Sequence, residues 1–464
     1  MIDFRKAAMA LIATCTAVAG PLLLVLPAQA ASLGDTVEYK IKTGSEPSVM
    51  VTGPDGNLWF TEYGRNKVAK ITPTGTITEY SVPTANANPS GIAVGSDGNI
   101  WYTEDAVSKI ARISLAGVST EFPLGGGSFK GAEYVTSGPD GNLWVTEGDG
   151  GHVDRVTTAG VVTRFDLSAT SLYMQGIASA HGLIWVAEGD SGKIATLTTA
   201  GVVTQHTLPL KGLASTGGLD GMGVGPDGNV WFGLDDRDRI ATVDSTFHFT
   251  YFTLPANTGA EQITTGPDGN LWFTESRAGD LGRITTAGVH TSFPVPSTKT
   301  AGFYPQGITS GPDCQVWYTG TNTSSGKDRI GRIVVNLPAV SGVSPSTGPA
   351  VGGTSVTITG VDFYNVAAVT FGGKPATSYS RTGCNSITAT APAGAGTVDV
   401  VVTANDGLTQ VSAADQFTYQ VPVTVPRAGA GVARVTPVSP SPAVPAILAV
   451  MVVMFGLARR RKHN

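Results

Sequence analysis

A ten-residue phrase, Gly-Pro-Asp-Gly-Asn-Leu-Trp-Phe-Thr-Glu at residues 53–62, recurs along most of the chain, three times nearly intact and three times degraded. Neighbouring copies place their tryptophans 41 to 46 residues apart. These copies account for all seven tryptophans of the sequence: Trp59, Trp101, Trp144, Trp185, Trp231, Trp272 and Trp317. A repeat of roughly 40 to 50 residues is typical of stacked supersecondary units, so this repeat constrains the architecture more than any other feature.

Each repeat has the pattern of four short strands joined by tight turns. Around Trp101, the segments 91–95, 100–104, 109–114 and 118–124 contain β-branched and aromatic residues and are separated by turn residues. Asp-Gly is a strong hairpin signal, because glycine adopts positive φ without steric cost. Four-stranded units repeated seven times close into a ring. The sequence therefore predicts an all-β protein with a seven-bladed β-propeller over residues 31–336. We expect each tryptophan to be structural and to pack between blades.

The closure of the ring can also be predicted. The last repeat ends near residue 334 without a fourth strand. Residues 37–42, ahead of the first phrase, resemble the fourth-strand segment at residues 78–83. We therefore predict that the N-terminal strand completes blade seven, which would remove a free sheet edge.

Composition excludes one class of partner. The 464 residues include 60 glycines and only 14% charged residues, which fits many turns and short strands. The net charge of -5 comes with scattered Lys and Arg residues, so nucleic acid is not an expected partner. We expect a monomer that binds a small molecule, a peptide or a surface ligand of unknown identity.

Residues 1–30 have the pattern of a secretory signal peptide. Basic residues precede an apolar stretch at residues 7–26, and Ala28-Gln-Ala30 forms a cleavage site. Cleavage would remove Cys15 and leave Cys314 and Cys384 in the mature chain. A disulfide between these two is compatible with an oxidising compartment and would pin blade seven to the next domain, although the sequence does not show whether the thiols meet.

A second pattern begins after the propeller. Residues 337–420 contain short alternating strands, which predict a C-terminal immunoglobulin-like β-sandwich. The phrases S-P-S-T-G-P, G-G-T-S-V-T-I-T-G and F-G-G occur there in order and closely resemble the IPT/TIG family of immunoglobulin-like domains. Because such modules act mostly as spacers or adhesion surfaces, the resemblance implies no chemistry.

The C-terminal end has the pattern of an anchor. Residues 421–442 form a Pro-rich linker, expected to be extended and semi-rigid. Residues 443–464 form a hydrophobic C-terminal anchor with a basic tail, Arg459-Arg-Arg-Lys-His-Asn. The apolar run is short for a spanning helix, but the basic end fits the positive-inside rule. We expect an exported, extracellular protein held at the cell surface through the membrane or the cell wall; the alternative is a buried core helix.

Propeller geometry places the start of each first strand and the end of each second strand on one face, near the central channel. The residues that open the first strands at this channel mouth are Ser48, Ser90, Glu133, Gln175, Asp220, Glu261 and Gln306. Second strands end with a carboxylate in five blades: Glu62, Glu104, Glu147, Glu188 and Glu275. We interpret this face as carrying an acidic ring.

Two interpretations of this ring remain open. Converging carboxylates suit hard cations such as Mg²⁺ or Ca²⁺, although the residues alone establish no cofactor. Alternatively, each glutamate forms a cross-hairpin salt bridge with a lysine five residues later, and the candidate pairs are Glu62–Lys67, Glu104–Lys109 and Glu188–Lys193. Blades five and six break this pattern, so the candidate metal ligands are Glu261, Glu275, Asp280, Asp235, Asp236 and Asp238.

The phrases W-F-T-E, K-I-x-R-I and T-E-F-P-x-P resemble the streptogramin lyases, the family that includes virginiamycin B lyase, over residues 36–335. The resemblance implies elimination at the ester of a cyclic depsipeptide, with magnesium and a general-base histidine from the motif P-H-[AG]-I. The matching positions here hold Gln306 and Glu261, and a glutamate metal ligand of the family falls on Thr321. An amide cannot act as a base near neutral pH, so the resemblance is weaker for activity than for fold.

The histidines of this chain are expected to be surface residues rather than substitutes: His152, His181, His206, His248, His290 and His463. Two functions remain. The anchor, the spacer and the missing histidines favour a surface-anchored ligand-binding or adhesion module. The alternative is a magnesium-dependent lyase acting on a cyclic depsipeptide ester such as a streptogramin B, with Glu261 and Gln306 as candidate catalytic residues.

Overall fold

The computed structural model describes residues 31–125, 131–148, 151–167, 174–189, 191–209, 218–299, 302–322, 325, 327–404 and 407–421. The predicted signal peptide, the linker from residue 422 onwards and the predicted anchor lie outside these residues. Within them, no helix has the length and apolar composition needed to cross a membrane.

Seven four-stranded antiparallel sheets form the blades of a propeller. Blades one to three contain β2–β5 (Pro47–Thr52, Leu58–Glu62, Lys67–Ile71, Ile77–Ser81), β6–β9 (Pro89–Val94, Ile100–Glu104, Lys109–Ile113, Ser119–Pro123) and β10–β13 (Ala132–Ser137, Leu143–Glu147, His152–Val156, Val162–Asp166). Blades four to six contain β14–β17 (Met174–Ala180, Leu183–Glu188, Lys193–Leu197, Val203–Thr207), β18–β21 (Leu219–Val224, Val230–Leu234, Arg239–Val243, Phe249–Thr253) and β22–β25 (Ala260–Thr265, Leu271–Glu275, Asp280–Ile284, His290–Phe293). Blade seven contains β26 (Phe303–Ser310), β27 (Val316–Asn322), β28 (Arg329–Ile333) and β1 (Thr36–Lys40). The described 3-10 helices span Tyr63–Arg65, Asp105–Val107, Asp235–Arg237, Pro296–Lys299 and Ala413–Asp415.

The innermost strands form a closed ring. Each contacts the innermost strand of the next blade, and β26 of blade seven contacts β2 of blade one. The predicted closure is confirmed, because β1 pairs antiparallel with β28 from Thr36 opposite Ile333 to Lys40 opposite Arg329. This pairing covers the outer edge of β28, which would otherwise be free to template intermolecular strand pairing.

The recurring Asp-Gly-Asn turn is explained by one recurring hydrogen-bond network. In blade two, Asp97 Oδ1 accepts from Trp101 Nε1 at 3.1 Å, and Asp97 Oδ2 accepts from Asn99 Nδ2 at 2.8 Å. Gly98 supplies a φ of 73°. The same indole-to-aspartate bond is formed by Asp55, Asp140, Asp227, Asp268 and Asp313. The aspartate thus satisfies the one polar atom of a tryptophan that is otherwise buried.

Every tryptophan is fully buried, and the predicted interblade packing is confirmed. Trp101 stacks on Phe122 of its own blade, with 5.4 Å between ring centroids, and also packs against Val135 and Leu143 of blade three. Blade four departs from the pattern because His181 replaces the turn aspartate, and Trp185 Nε1 donates to the carbonyl of Ala180 instead. The aromatic repeat is therefore the core of the ring.

The threonine of the repeat phrase holds neighbouring blades together near the axis. Thr103 Oγ1 accepts from the Gly91 amide at 2.8 Å and donates to the Glu133 carbonyl of the next blade at 2.9 Å. A Cβ on Gly91 would lie 2.3 Å from that carbonyl oxygen. Glycine is therefore required where the two innermost strands approach each other.

Two further sheets form the predicted sandwich. One contains β29 (Ala339–Ser344), β31 (Ser355–Val361), β35 (Ser386–Thr390) and β34 (Ser378–Thr382). The other contains β30 (Thr347–Pro349), β38 (Gln416–Gln420), β36 (Gly396–Ala404), β32 (Ala368–Phe371) and β33 (Lys374–Pro375), with β37 (Gly407–Leu408) beside β36. Val356 and Ile358 on one sheet pack with Val400 and Phe417 on the other. A disulfide joins Cys314 to Cys384, a bond that the sequence had left open.

Candidate functional site at the mouth of the channel

A cavity of about 650 Å³ lies where the innermost strands begin. Its walls come from blades seven, one, two, three and four. The lining residues are Gly44, Glu46, Pro47, Ser48, Tyr63, Ser90, Asp105, Glu133, Tyr134, Gln175, Gln306, Thr321, Asn322 and Asp328. The size is within the range of small-molecule sites.

Five of the predicted channel-mouth residues line this cavity: Ser48, Ser90, Glu133, Gln175 and Gln306. A local break in strand register explains their position. In blade three, Ala132 pairs with Glu147 and Val135 pairs with Val145, so Glu133 and Tyr134 lie in a bulge. The same irregularity occurs in the innermost strand of every blade. A β-bulge changes the direction in which side chains point. Here the bulges lie at or next to the residue that opens each innermost strand.

The two remaining channel-mouth residues, Asp220 and Glu261, open the innermost strands of blades five and six and do not line the cavity. Burial raises the pKa of the Asp220 carboxyl well above its usual range, and the charge of Glu261 adds to the rise. Burial also raises the pKa of Glu261, which the Ser276 hydroxyl partly opposes. The two carboxyls therefore interact across neighbouring blades.

Tyr134 forms part of the cavity wall and was not predicted from the sequence. Burial raises the pKa of its phenol well above the usual value, and the charges of Asp220, Glu133 and Glu261 contribute further. The phenol thus lies in the same electrostatic environment as the acidic residues of blades three, five and six. The available signal was a departure from the repeat, because Gly91 and Gly176 occupy the matching position in blades two and four.

A second, smaller cavity of about 150 Å³ shares Tyr134 with the first. Its lining residues are Val49, Gly91, Ile92, Tyr134, Val135, Gly176, Ile177, Met222, Gln262, Ile263 and Ile308. All of them lie on innermost strands, so they surround the propeller axis. Tyr134 therefore borders both the mouth of the channel and a second cavity around the propeller axis.

The predicted acidic ring at the mouth is wrong, because its side chains are enclosed within their own blades. Glu275 is 2% exposed, and the other four are fully buried: Glu62, Glu104, Glu147 and Glu188. Their carboxylates follow the apolar residues of the fully buried second strands. Among the described residues, no three of these carboxylates are placed to hold one metal ion.

The predicted glutamate–lysine salt bridges are also wrong. Glu62 and Lys67 are direct cross-strand partners, but the Lys67 ammonium binds Glu79 on the outermost strand, with 2.5 Å between Nζ and Oε2. Lys109 likewise binds Glu121 at 2.7 Å. In blade four, Lys193 donates to the side-chain oxygen of Gln205 at 3.2 Å. The lysines bind residues of the outermost strand because the glutamates at the ends of the second strands are buried.

Several of these glutamates carry strongly perturbed carboxyls. Burial raises the pKa of Glu104 to about 8, and the charge of Glu121 adds to the rise. Burial and the charge of Asp154 raise the pKa of Glu147 to about 7. Neither oxygen of Glu104 has a hydrogen-bond donor among the described residues. A neutral, protonated Glu104 is therefore favoured in the folded state.

The acidic candidates of blades five and six have separate structural partners. Asp238 Oδ1 and Oδ2 accept from the backbone amides of Thr258 and Asn257, at 2.8 Å each. Asp235 binds Arg277, with 2.8 Å between Oδ2 and Nη2. The side chain of Asp236 lies outside the described part of the structure.

Glu275 is held inside blade six by groups that the sequence did not connect. Its Oε1 lies 2.6 Å from His290 Nε2, and its Oε2 accepts from Ser292 Oγ at 2.8 Å. Ser292 Oγ also lies 3.3 Å from Asp280 Oδ2. His290, which we expected at the surface, is part-buried, with 12% of its side chain exposed. This cluster does not border the cavity.

The virginiamycin B lyase family model matches residues 28–215 and 213–348, which together exceed half of the chain. The chain belongs to the virginiamycin B lyase family. The IPT/TIG domain model matches residues 338–419, in agreement with the sandwich. No curated protein matches the sequence.

Solved structures of virginiamycin B lyases resemble the propeller. A streptogramin B lyase is 28% identical, with a TM-score of 0.59, over 65% of this chain and 98% of its own. Selenomethionine-substituted virginiamycin B lyase from Staphylococcus aureus is 27% identical, with a TM-score of 0.59, over 65% of this chain and 99% of its own. A catalytically inactive histidine-to-alanine variant of the Staphylococcus aureus enzyme with quinupristin is 26% identical, with the same TM-score of 0.59 and coverage of 65% and 99%. The IPT/TIG domain thus lies beyond the part shared with these enzymes.

The residues at the family's catalytic positions do not fit a magnesium site. Gln306 and Thr321 both line the cavity, but they offer a neutral amide and a hydroxyl. Glu261 is the single carboxylate of the three positions, and it does not line that cavity. Among the residues that the structure describes, no three His, Cys, Asp or Glu side chains are placed to hold a metal ion. Hard divalent cations require several oxygen ligands, so we derive no step through magnesium.

Proposed function

We propose that this member of the virginiamycin B lyase family is an exported, surface-held binding module whose ligand occupies the cavity at the channel mouth. The observation that supports this proposal most is which residues form the cavity wall. Gln306 and Thr321 stand there at positions where the resemblance implies a general base and a metal ligand. The cavity keeps the volume of a ligand site while these positions lack a basic group.

The lining residues favour a ligand with a positive charge. Glu46, Asp105, Glu133 and Asp328 contribute carboxylates, and no Lys, Arg or His is among the described residues that line the cavity. Asp328 already accepts backbone amides from Glu46 at 3.0 Å and Asn322 at 3.4 Å, so it orients the wall. Tyr63 and Tyr134 also line the cavity, and aromatic rings attract ammonium and guanidinium groups. Carboxylates lining a concave site would raise the local concentration of cations.

Isothermal titration calorimetry tests this ligand class. The probes are linear diamines and spermidine, compared with diols and dicarboxylates of matched length. We expect heat of binding for the amines alone. Glu133→Gln should weaken binding about tenfold, as expected for a lost charge-assisted hydrogen bond. Asp166→Asn, on an exposed outer strand, should leave it unchanged. Binding of the neutral probes with equal strength, or equal loss in both variants, would contradict the proposal.

Surface display is supported by separate features of the chain. A disulfide between Cys314 and Cys384 is typical of proteins that fold in oxidising compartments. The N-terminal signal pattern and the C-terminal apolar segment with its basic end fit the same route. Cell fractionation tests this proposal. The full chain should remain with the envelope and be accessible to protease added outside, whereas a chain truncated after residue 442 should enter the medium. Retention of both in the cytoplasm would contradict it.

The second candidate function is a lyase that uses Glu261. One observation favours it: burial raises the pKa of Glu261, and a carboxylate with a raised pKa is a stronger general base. The structure of the inactive relative with quinupristin indicates which compound to test. Opening of this ring by the wild-type protein, abolished by Glu261→Gln, would support the lyase; absence of turnover in both supports the binding module.

A further inference from the structure

Blade seven breaks the repeat at the turn between its first two strands. In five other blades this turn is Asp-Gly-Asn, and the asparagine amide donates back to its own aspartate, as Asn99 does to Asp97 at 2.8 Å. Blade seven instead contains Asp313-Cys314-Gln315. Cys314 adopts a φ of 65°, the left-handed conformation that glycine occupies in the other turns. This conformation is unfavourable for a residue with a Cβ, so a compensating interaction is expected.

Both changed side chains reach the IPT/TIG domain. Cys314 forms the disulfide with Cys384. Gln315 Nε2 donates to Asp362 Oδ1 at 2.9 Å, and Gln315 Oε1 accepts from the Val335 amide at 2.7 Å. Cys314 and Gln315 are fully buried, and Asp362 is 1% exposed. Two consecutive residues of one turn therefore connect the propeller to the IPT/TIG domain, one through a covalent bond and the other through a buried hydrogen bond.

The turn keeps the other contacts that its aspartate forms in the repeat. Arg332 Nη1 lies 3.2 Å from Asp313 Oδ2, and the basic residue at the matching position binds the same oxygen in other blades, as Arg155 binds Asp140. Asp313 Oδ1 still accepts from Trp317 Nε1 at 2.8 Å. Gln315 is therefore released from its role inside the turn and is available for the neighbouring domain.

The IPT/TIG domain presents two connected loops to this turn. One loop follows β31 and the other joins β34 to β35, and the Phe363 amide donates to the Cys384 carbonyl at 3.0 Å to link them. The Arg381 guanidinium packs on the Tyr364 ring, 5.5 Å from its centroid, and its Nη1 lies 3.9 Å from Cys314 Sγ. The domain surface is thus organised around the disulfide.

We infer that the 313–315 turn is a docking element that fixes the IPT/TIG domain on the side of the propeller opposite the cavity. Strand β26 supplies the reason for this orientation. Gln306 near its start lines the cavity, whereas the turn follows its other end. The IPT/TIG domain is therefore held rigidly against the propeller rather than joined to it as a flexible spacer. The cavity faces away from the IPT/TIG domain. This inference does not depend on which ligand the cavity takes.

Hydrogen exchange and small-angle X-ray scattering on the full chain test this orientation. The double variant Cys314→Gly with Gln315→Asn restores the turn of the other blades, and Cys384→Ser breaks the disulfide from the domain side. Asn99→Gln makes the Asn-to-Gln change in a turn that contacts no second domain. We expect exchange in residues 360–365 to accelerate at least tenfold in the double variant and in Cys384→Ser, but not in Asn99→Gln.

The scattering of the wild type should fit one rigid arrangement, whereas the double variant should show a broader distribution of distances. Buried-tryptophan fluorescence should stay unchanged in the double variant, because glycine is the residue that other blades use in this turn. Peptide mapping of the wild type should recover residues 314 and 384 in one cross-linked peptide. Free thiols at both positions, or equal exchange and scattering in wild type and double variant, would overturn the inference.

Discussion

The buried Glu104 should make the propeller less stable as pH rises, and Glu104→Gln should remove this dependence. Burial raises the pKa of Glu104 from 4.5 to about 8 in the folded protein. Between these values the folded chain holds a proton that the unfolded chain has released. Stability therefore falls with rising pH across this window, by about 1.4 kcal/mol per unit for one proton.

The accumulated penalty at pH 7 can be estimated from the same shift. Two and a half pH units above the unfolded pKa correspond to about 3 kcal/mol. A glutamine resembles the protonated acid in shape and charge, and its amide can donate toward Glu121, which lies beside Glu104. Glu104→Gln should therefore match the wild type near pH 4.5 and exceed its free energy of unfolding by about 3 kcal/mol at pH 7.

Urea unfolding followed by tryptophan fluorescence at several pH values between 4.5 and 8 measures this difference. Glu188→Gln is the matched control, because Glu188 accepts hydrogen bonds from Gln205 Nε2 at 2.8 Å and Ser191 Oγ at 2.9 Å. An amide there would present a donor to a donor, so this variant should be less stable than the wild type at pH 7. Parallel pH profiles for the wild type and Glu104→Gln would refute the reasoning.

Three further outcomes follow from the fold. Gly91→Ala should lower the thermal midpoint by several degrees, since its Cβ would lie 2.3 Å from a neighbouring carbonyl, whereas Gly125→Ala, with nothing within 4 Å, should not. Asp140→Asn should cost about 1–3 kcal/mol at pH 7 in urea unfolding. Burial raises the pKa of Asp140, but hydrogen bonds from Asn142, Arg155 and Trp144 outweigh it and lower the pKa to about 2. The contribution of Asp140 is therefore present above about pH 4 and is lost as the pH falls through 2. Deleting residues 31–41 should expose the edge of β28 and produce oligomers by size-exclusion chromatography with light scattering; a monomer would contradict the closure argument.

The sequence predicted the ring because its determinants are local. The tryptophan spacing and the Asp-Gly turns specify each blade, and the unpaired N-terminal strand specifies the closure. The binding partners of individual side chains were harder to predict from the sequence. Glu62 and Lys67 are in register, but register does not show which of two neighbouring strands a long lysine reaches, and here Glu79 is its partner. The Lys67 ammonium binds Glu79 because the Glu62 carboxylate is buried.

The candidate site was predictable where residues follow the repeat and hidden where they depart from it. Glu133 and Gln306 were located from strand starts alone, and both line the cavity. Tyr134 was missed, although it replaces a glycine of other repeats. The docking role of Gln315 was missed for the same reason. Single departures from a strong repeat were therefore the unused signal, since the consensus residues already satisfy the fold.

The central claim is that this propeller binds a ligand in its cavity without the chemistry of its family. The most direct measurement is mass spectrometry of a streptogramin B compound incubated with the full-length protein and magnesium, with a virginiamycin B lyase as positive control. We predict that the cyclic compound remains intact while the control opens it. Linearised product that accumulates in proportion to this protein, and that disappears in Glu261→Gln, would contradict the account.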